Sequence, residues 1–389
     1  MYTLYDIQHA WQQQDPLLVD YLVSMVSQPD PVPEQPLPDE ALTFQRFLDQ
    51  IFSAEFRAQP DEVQFSTRLA KLAELETSQA YPLPDRFKLH VILLGLWDDP
   101  LPYARYVLMQ AIRRLPLVYG VWKAIKLIFK QAEQRHDYAM LGLIAAQLDM
   151  QRHAAPAYAV SAATKTYMQL RAWRYLRQLG QQLPVCYPEA AIHYLAEYQA
   201  PESSHVGFWP QAWSLNHILF HEIPQGYGRY RFSVYQKKLY HPKHRAFNEV
   251  WLRSPEPLFK LMGMARAEAI RQYACDALKH DFRSQLRDVE MTRIHALALI
   301  PVASAARDEL LVWLLQNSPR YEQQQFVRLG LHAVVIELLE SASVEAQAYA
   351  ISYAKTYAAD LDLATVLRLA ENANPKVRDF AIELLKSRD

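Results

Sequence analysis

Apolar positions in this chain recur at intervals of three and four along most of its length and alternate in only one short stretch. Over 118–134, Val118, Val121, Trp122, Ile125, Ile128 and Phe129 fall on one face of a 3.6-residue repeat. Lys123, Lys126 and Lys130 lie beside that face. Over 164–183 the inward set is Met168, Ala172, Tyr175 and Leu179, with Arg171, Arg174 and Gln178 to one side. The same spacing predicts helices near 3–13, 16–28, 39–57, 61–77, 84–97, 102–114, 137–151, 156–182, 187–199 and 209–221, and helical text again from 256. The exception is 224–247, which holds two glycines and alternates at 229–235. It predicts a short β-hairpin or an ordered insertion loop.

A nine-residue pattern appears three times in the last third: IRQYACDAL at 270–278, AQAYAISYA at 346–354 and VRDFAIELL at 377–385. Its aromatic (Tyr273, Tyr349, Phe380) is always followed by alanine. A small residue beside a large one lets a neighbouring helix lie close. The pattern therefore predicts stacked helix pairs that share a continuous core. Leu338 aligns with Leu369, Glu340 with Glu371 and Ser343 with Asn374 at a constant offset. Asn374 is placed to cap a helix that Pro375 opens.

Prolines mark the boundaries. Asp15-Pro16 breaks the first helical stretch, with Asp15 placed as a cap. Five prolines in the eleven residues 28–38 preclude a helix there. The expected organisation is an N-terminal helix pair (1–28), a proline-rich linker (29–38), divergent helical repeats (39–221), a basic-aromatic insertion (222–250) and further repeats (251–389).

The run 372–385, NANPKVRDFAIELL, resembles the second half of a HEAT repeat, a likeness that covers the last third of the chain. The runs 164–180 and 212–220 are similar to segments of large uncharacterised bacterial HEAT-repeat proteins. The resemblance implies an all-α fold: a right-handed α-solenoid of antiparallel helix pairs, with one irregular insertion. Those proteins are longer than this chain, so further repeats or a partner are expected to cover its last helix. The resemblance carries no activity and no functional residue with it.

Composition narrows the chemistry. Only 9 of 389 residues are glycine, which disfavours phosphate-cradling loops, and no Walker, GxSxG or dinucleotide motif is present. Two cysteines, Cys186 and Cys275, make no disulfide framework and fit a reducing compartment. No signal peptide is evident. The longest apolar run, 91–97, is far too short to span a membrane. The expectation is a cytoplasmic protein without a cofactor.

Charge is segregated. Residues 1–99 carry 16 acids and 6 bases, and residues 100–250 carry 18 bases and 8 acids. Either the acidic part folds against the basic part, or the basic part faces a polyanion. Within 223–248, Arg229, Arg231, Lys237, Lys238, Lys243 and Arg245 interleave with Tyr227, Tyr230, Phe232, Tyr235, Tyr240 and Phe247. Cations suit phosphates and aromatic faces suit unpaired bases. The bland alternative is a loop whose tyrosines pack while its cations stay solvated. Lys123, Lys126, Lys130, Arg171, Arg174 and Arg177 would form a cationic stripe if their helices stack as neighbours. Trp122, Trp173, Trp209 and Trp213 read as core.

His217 and His221 share a helix face at zinc-ligand spacing, with Glu222 adjacent and His241 and His244 as further candidates. Two histidines are not a metal site, and with 13 in the chain, pairs arise by chance. Asp98-Asp99 reads as a turn cap rather than an acid–base pair. Cys186 reads as a structural thiol. The leading reading is a non-enzymatic HEAT-like scaffold that binds a macromolecule, protein foremost. The alternative is a nucleic-acid-binding module using the basic middle. A repair enzyme acting on damaged bases would also need a carboxylate and aromatics lining a basic cleft.

Overall fold

The computed structural model describes residues 1–29, 36–37, 39, 41–78, 81, 83–150, 160, 162–199, 212–221, 225–228, 231–234, 241–358 and 360–387. These residues are predominantly α-helical. They form two compact units, Met1–Arg135 with His153–Ala162, and His136–Arg152 with Ala163–Asp389.

The first unit contains α1 (Leu4–Gln12), α2 (Leu18–Ser27), α3 (Phe44–Phe52), α4 (Ala54–Arg57), α5 (Asp61–Thr77), α6 (Leu89–Asp98), α7 (Pro102–Arg114) and α8 (Tyr119–Arg135). A capping box starts α1: the Thr3 hydroxyl accepts from Asp6 N, and the Asp6 carboxylate accepts from Thr3 N at 2.7 Å. The first helix pair is not free-standing, since α1 packs on α6 and α2 on α7. The Trp11 indole donates to Asp99 at 3.0 Å, and Asp99 also accepts from Leu101 N at 2.9 Å, closing the turn after α6. Helix α2 starts later than Asp15-Pro16 implied. Asp15 accepts from Leu17 N through its carboxylate (2.8 Å) and from Leu18 N through its carbonyl (3.1 Å), so it shapes a turn instead of capping the helix. On α8, Val121, Ile125, Ile128 and Phe129 are buried, each worth about 1.5–3 kcal/mol of apolar burial. Trp122 is only half-buried, because it sits at the edge of that stripe.

The second unit begins with α9 (Tyr138–Met150), α10 (Ala162–Gln182, from Ala163), α11 (Tyr187–Ala196) and α12 (Trp213–Phe220). Helices α9 and α11 pack along their length. Gly142 permits this approach: a Cβ there would lie 2.5 Å from the His193 carbonyl. On α10, Met168, Ala172, Tyr175 and Leu179 are buried, as the periodicity predicts. Strands β1 (Gln225–Gly228) and β2 (Arg231–Val234) pair antiparallel, with Gln225 opposite Val234 and Gly228 opposite Arg231. The stretch expected to be a hairpin or a loop thus contains a hairpin.

After α13 (Asn248–Trp251) come four helix pairs: α14 (Glu256–Met264) with α15 (Glu268–Asp281), α16 (Met291–Ala298) with α17 (Ala305–Asn317), α18 (His332–Glu337) with α19 (Val344–Tyr357), and α20 (Leu363–Ala370) with α21 (Pro375–Lys386). The members of each pair pack together, and the second helices pack in succession, α15 on α17, α17 on α19 and α19 on α21. Tyr273, Tyr349 and Phe380 are buried, and the alanines that follow them are fully buried. Helix α17 follows the same scheme with Leu310-Leu311 in place of aromatic-alanine.

Candidate functional site

Polar side chains link successive second helices across the repeats. The Ser304 hydroxyl accepts from Arg307 N to cap α17 and donates to Glu268 of α15 at 3.1 Å. The Ser341 hydroxyl, in the turn before α19, donates to Asp308 of α17 at 2.5 Å. The Asn374 amide, at the start of α21, donates to Gln347 of α19 at 2.6 Å. Asp308 and Gln347 are buried, so these bonds satisfy groups that would otherwise be stranded away from water. A second set of bonds closes the turns within pairs. Arg271 donates to the Ala265 carbonyl, Gln347 to the Leu339 carbonyl at 3.3 Å, and Arg378 to the Asn372 carbonyl at 2.8 Å. Those three residues occupy the second place of the nine-residue pattern.

A second polar centre lies where α9 ends. The buried Asp149 carboxylate accepts from the Tyr198 hydroxyl at 2.5 Å, the Gln169 amide at 2.9 Å and Ser214 N at 3.3 Å. It joins α9, α10, the segment just after α11 and the first turn of α12. Burial raises its pKa to about 6 against the opposing pull of these hydrogen bonds. Among the described residues its hydrogen-bond partners are a phenol, an amide and a backbone N–H, which fix its position.

The predicted cations are distributed over both units. Lys123, Lys126 and Lys130 lie on one side of α8 in the first unit, and Arg171 and Arg174 lie on α10 in the second. Lys123 pairs with Glu76 at 2.5 Å, and Arg114 with Asp20 at 2.7 Å. Within the first unit, then, acids of the N-terminal segment do meet bases of the middle one. Lys126 and Lys130 are exposed and make no ion pair among the described residues. The Lys126 ammonium is held below its usual range by partial desolvation, then by Lys130 and Lys123. Arg174 donates back to the Leu170 carbonyl at 3.3 Å, and Arg177 lies over the Trp173 ring at 4.8 Å. Arg171 is half-buried. Arg231 lies on β2, whereas Arg229, Tyr230, Tyr235, Lys237 and Lys238 fall outside the described residues.

The histidines of the zinc reading pack as aromatic rings. His217 is buried and its ring meets that of the exposed His221 edge-on at 5.1 Å, with Phe247 stacked against His221. Burial, then His221 and Arg177, lower the His217 pKa to about 3, so it stays neutral. His241 instead neighbours His244 and His280. Among the described residues no three potential ligands converge. Trp213 is buried, Trp173 is half-buried, and Trp209 lies outside the described residues. The Cys275 thiol is buried and pushed up to about 12, so it is inert.

A surface groove of about 600 Å³ runs along α1, lined by Tyr2, Tyr5, Asp6, His9 and Tyr21 among others. Of its two lining carboxylates, Asp6 is committed to the capping box and Asp15 to the turn before α2. No helix among the described residues is long and apolar enough to cross a membrane.

Three features went unread in the sequence: the ladder acceptors Glu268 and Asp308, the Asp149 centre, and the buried Arg245–Asp281 ion pair. For the caps that begin these second helices a signal existed. Ser304, Ser343 and Asn374 each precede apolar residues six, seven and ten places on, and only the first is followed by leucines in place of aromatic-alanine. No protein-family model, curated protein or solved structure matches the chain.

Proposed function

We propose that the protein is a non-enzymatic scaffold of HEAT-like helical repeats, an α-solenoid over its C-terminal part, that binds a macromolecular partner, with protein as the leading class. The observation that carries this reading is the succession α15, α17, α19, α21, joined by the polar ladder. Such stacks present extended surfaces, and their stability comes from neighbour contacts rather than one central core. The polar groups described above cap helices and link elements, which accords with a binding rather than a catalytic role. The test is affinity capture with the full chain, repeated with surface-charge variants on each unit. Capture of one defined partner, lost in a particular variant, supports the scaffold.

A nucleic-acid-binding role is the second reading, favoured by the exposed pair Lys126 and Lys130. Like charges four residues apart weaken a helix by about 0.2–0.5 kcal/mol, a cost that an anionic partner would offset. Fluorescence anisotropy with labelled single- and double-stranded DNA and RNA at about 50 and 200 mM salt tests it. Six or more phosphate contacts would weaken duplex binding by roughly a thousandfold over that range. An absence of binding at low salt would eliminate this reading and leave the protein-scaffold reading standing.

A further inference from the structure

Residues 241–245 lie near the end of the insertion and lead into α13. A short 3-10 turn, Pro242–His244, packs there against α12, α13 and α15. Two contacts fix it. Arg245, fully buried, donates to Asp281 at the end of α15 at 2.6 Å and lies over the Trp251 ring at 5.1 Å. His241 caps the turn: its Nδ1 accepts from Lys243 N at 3.2 Å. A ring nitrogen accepts only when it carries no proton, so the cap requires the neutral ring with its proton on Nε2.

We infer that residues 241–245 form an acid-released clasp, which holds the end of the insertion on α15 and lets go when His241 is protonated. Protonation turns the Nδ1 acceptor into a donor that faces another donor, Lys243 N. It also adds a positive charge to a crowded place. Lys243 and His244 are on the same segment, and the His280 ring of α15 meets that of His241 at 4.6 Å. The Asp281 carboxylate serves both Arg245 and His280, whose Nδ1 lies 2.8 Å away. Helices α12 and α13, which also pack on the turn, carry His217, His221 and Glu249. Desolvation, then His280, Lys243 and His244, hold the His241 imidazole below its usual range. A base depressed in the folded state stabilises the clasp above its free value of 6.5, and that contribution is lost as pH falls below it.

The anchor beneath the cap is poised for release. Among the described residues, Arg245 Nε and Nη1 are buried without a hydrogen-bond partner, and the guanidinium is held by the carboxylate of Asp281. A buried ion pair held at one point is costly to keep desolvated once its surroundings loosen.

The experiment is hydrogen exchange by mass spectrometry on the full chain at about pH 7.5 and 5.5, expressed as protection relative to intrinsic rates. The comparison is with His241→Asn, whose side-chain oxygen can cap as Nδ1 does but does not titrate. Protection over 241–251 is expected to fall on acidification in the wild type, by at most about tenfold one unit below the free value of 6.5, and to stay constant in H241N. Equal falls in both proteins overturn the inference, as does an unchanged wild type. A fall shared equally by α15 and α17 signals general unfolding and also overturns it.

Discussion

The Asn374 amide donates to Gln347 Oε1 at 2.6 Å while its own carbonyl oxygen accepts from Lys376 N at 3.0 Å. One side chain thus caps α21 and ties it to α19. Asn374→Ala should lower stability by about 1–3 kcal/mol, read as the urea midpoint. Asn374→Asp keeps the cap and loses the donor, so it should fall between the two. In a double-mutant cycle with Gln347→Ala, the two losses should be less than additive. Strict additivity would dissolve the link.

Gly142→Ala tests the close approach of α9 and α11. The new methyl would press on the His193 carbonyl, which is backbone and cannot swing aside. Overpacking of this kind costs about 1–3 kcal/mol, and thermal denaturation should show a clear drop in Tm. An unchanged Tm would mean that the two helices pack less closely than described.

Two buried groups should pull the pH dependence of stability in opposite directions. His217 is depressed from 6.5 to about 3, so its contribution is full above 6.5 and is lost as pH falls through that interval. The loss is on the order of 4–5 kcal/mol at its limit. Asp149 is raised from 3.8 to about 6, so its contribution is full below 3.8 and is lost as pH rises through 6, by about 3 kcal/mol. Urea midpoints measured against pH check both. The difference between wild type and His217→Leu should grow on acidification below 6.5. The difference between wild type and Asp149→Asn should change between 3.8 and 6 and stay flat above about 7.

Lys126→Glu with Lys130→Glu should leave stability within about 0.5 kcal/mol, because both residues are exposed. If the partner is anionic, the double variant should weaken binding and flatten its salt dependence. Binding unchanged in affinity and salt dependence would remove α8 from the interface.

Much of the helix content was legible because it rests on periodicity. The α8 stripe from Val121 to Phe129 and the buried pairs Tyr349-Ala350 and Phe380-Ala381 were read directly from spacing. The Asn374 cap was legible because capping is local. Partners distant in sequence were not. Nothing near Asp149 indicates that Tyr198, 49 residues on, will bond to it, and nothing near Arg245 points to Asp281. Trp122 and Trp173 were read as core, but a ring at the edge of a helical stripe is only half covered. The zinc-ligand spacing of His217 and His221 does not by itself specify a metal site. Residues four apart on a helix become neighbours whether or not a metal is needed.

Native-state hydrogen exchange across α15, α17, α19 and α21 tests the central claim, a stack in which each pair leans on its neighbours. The account predicts opening free energies that differ between pairs, lowest at α20 and α21, and a rise in exchange confined to α19 through α21 in Asn374→Ala. A single opening free energy shared by all four second helices, shifted as a block by Asn374→Ala, would contradict the repeat reading and indicate one cooperative core.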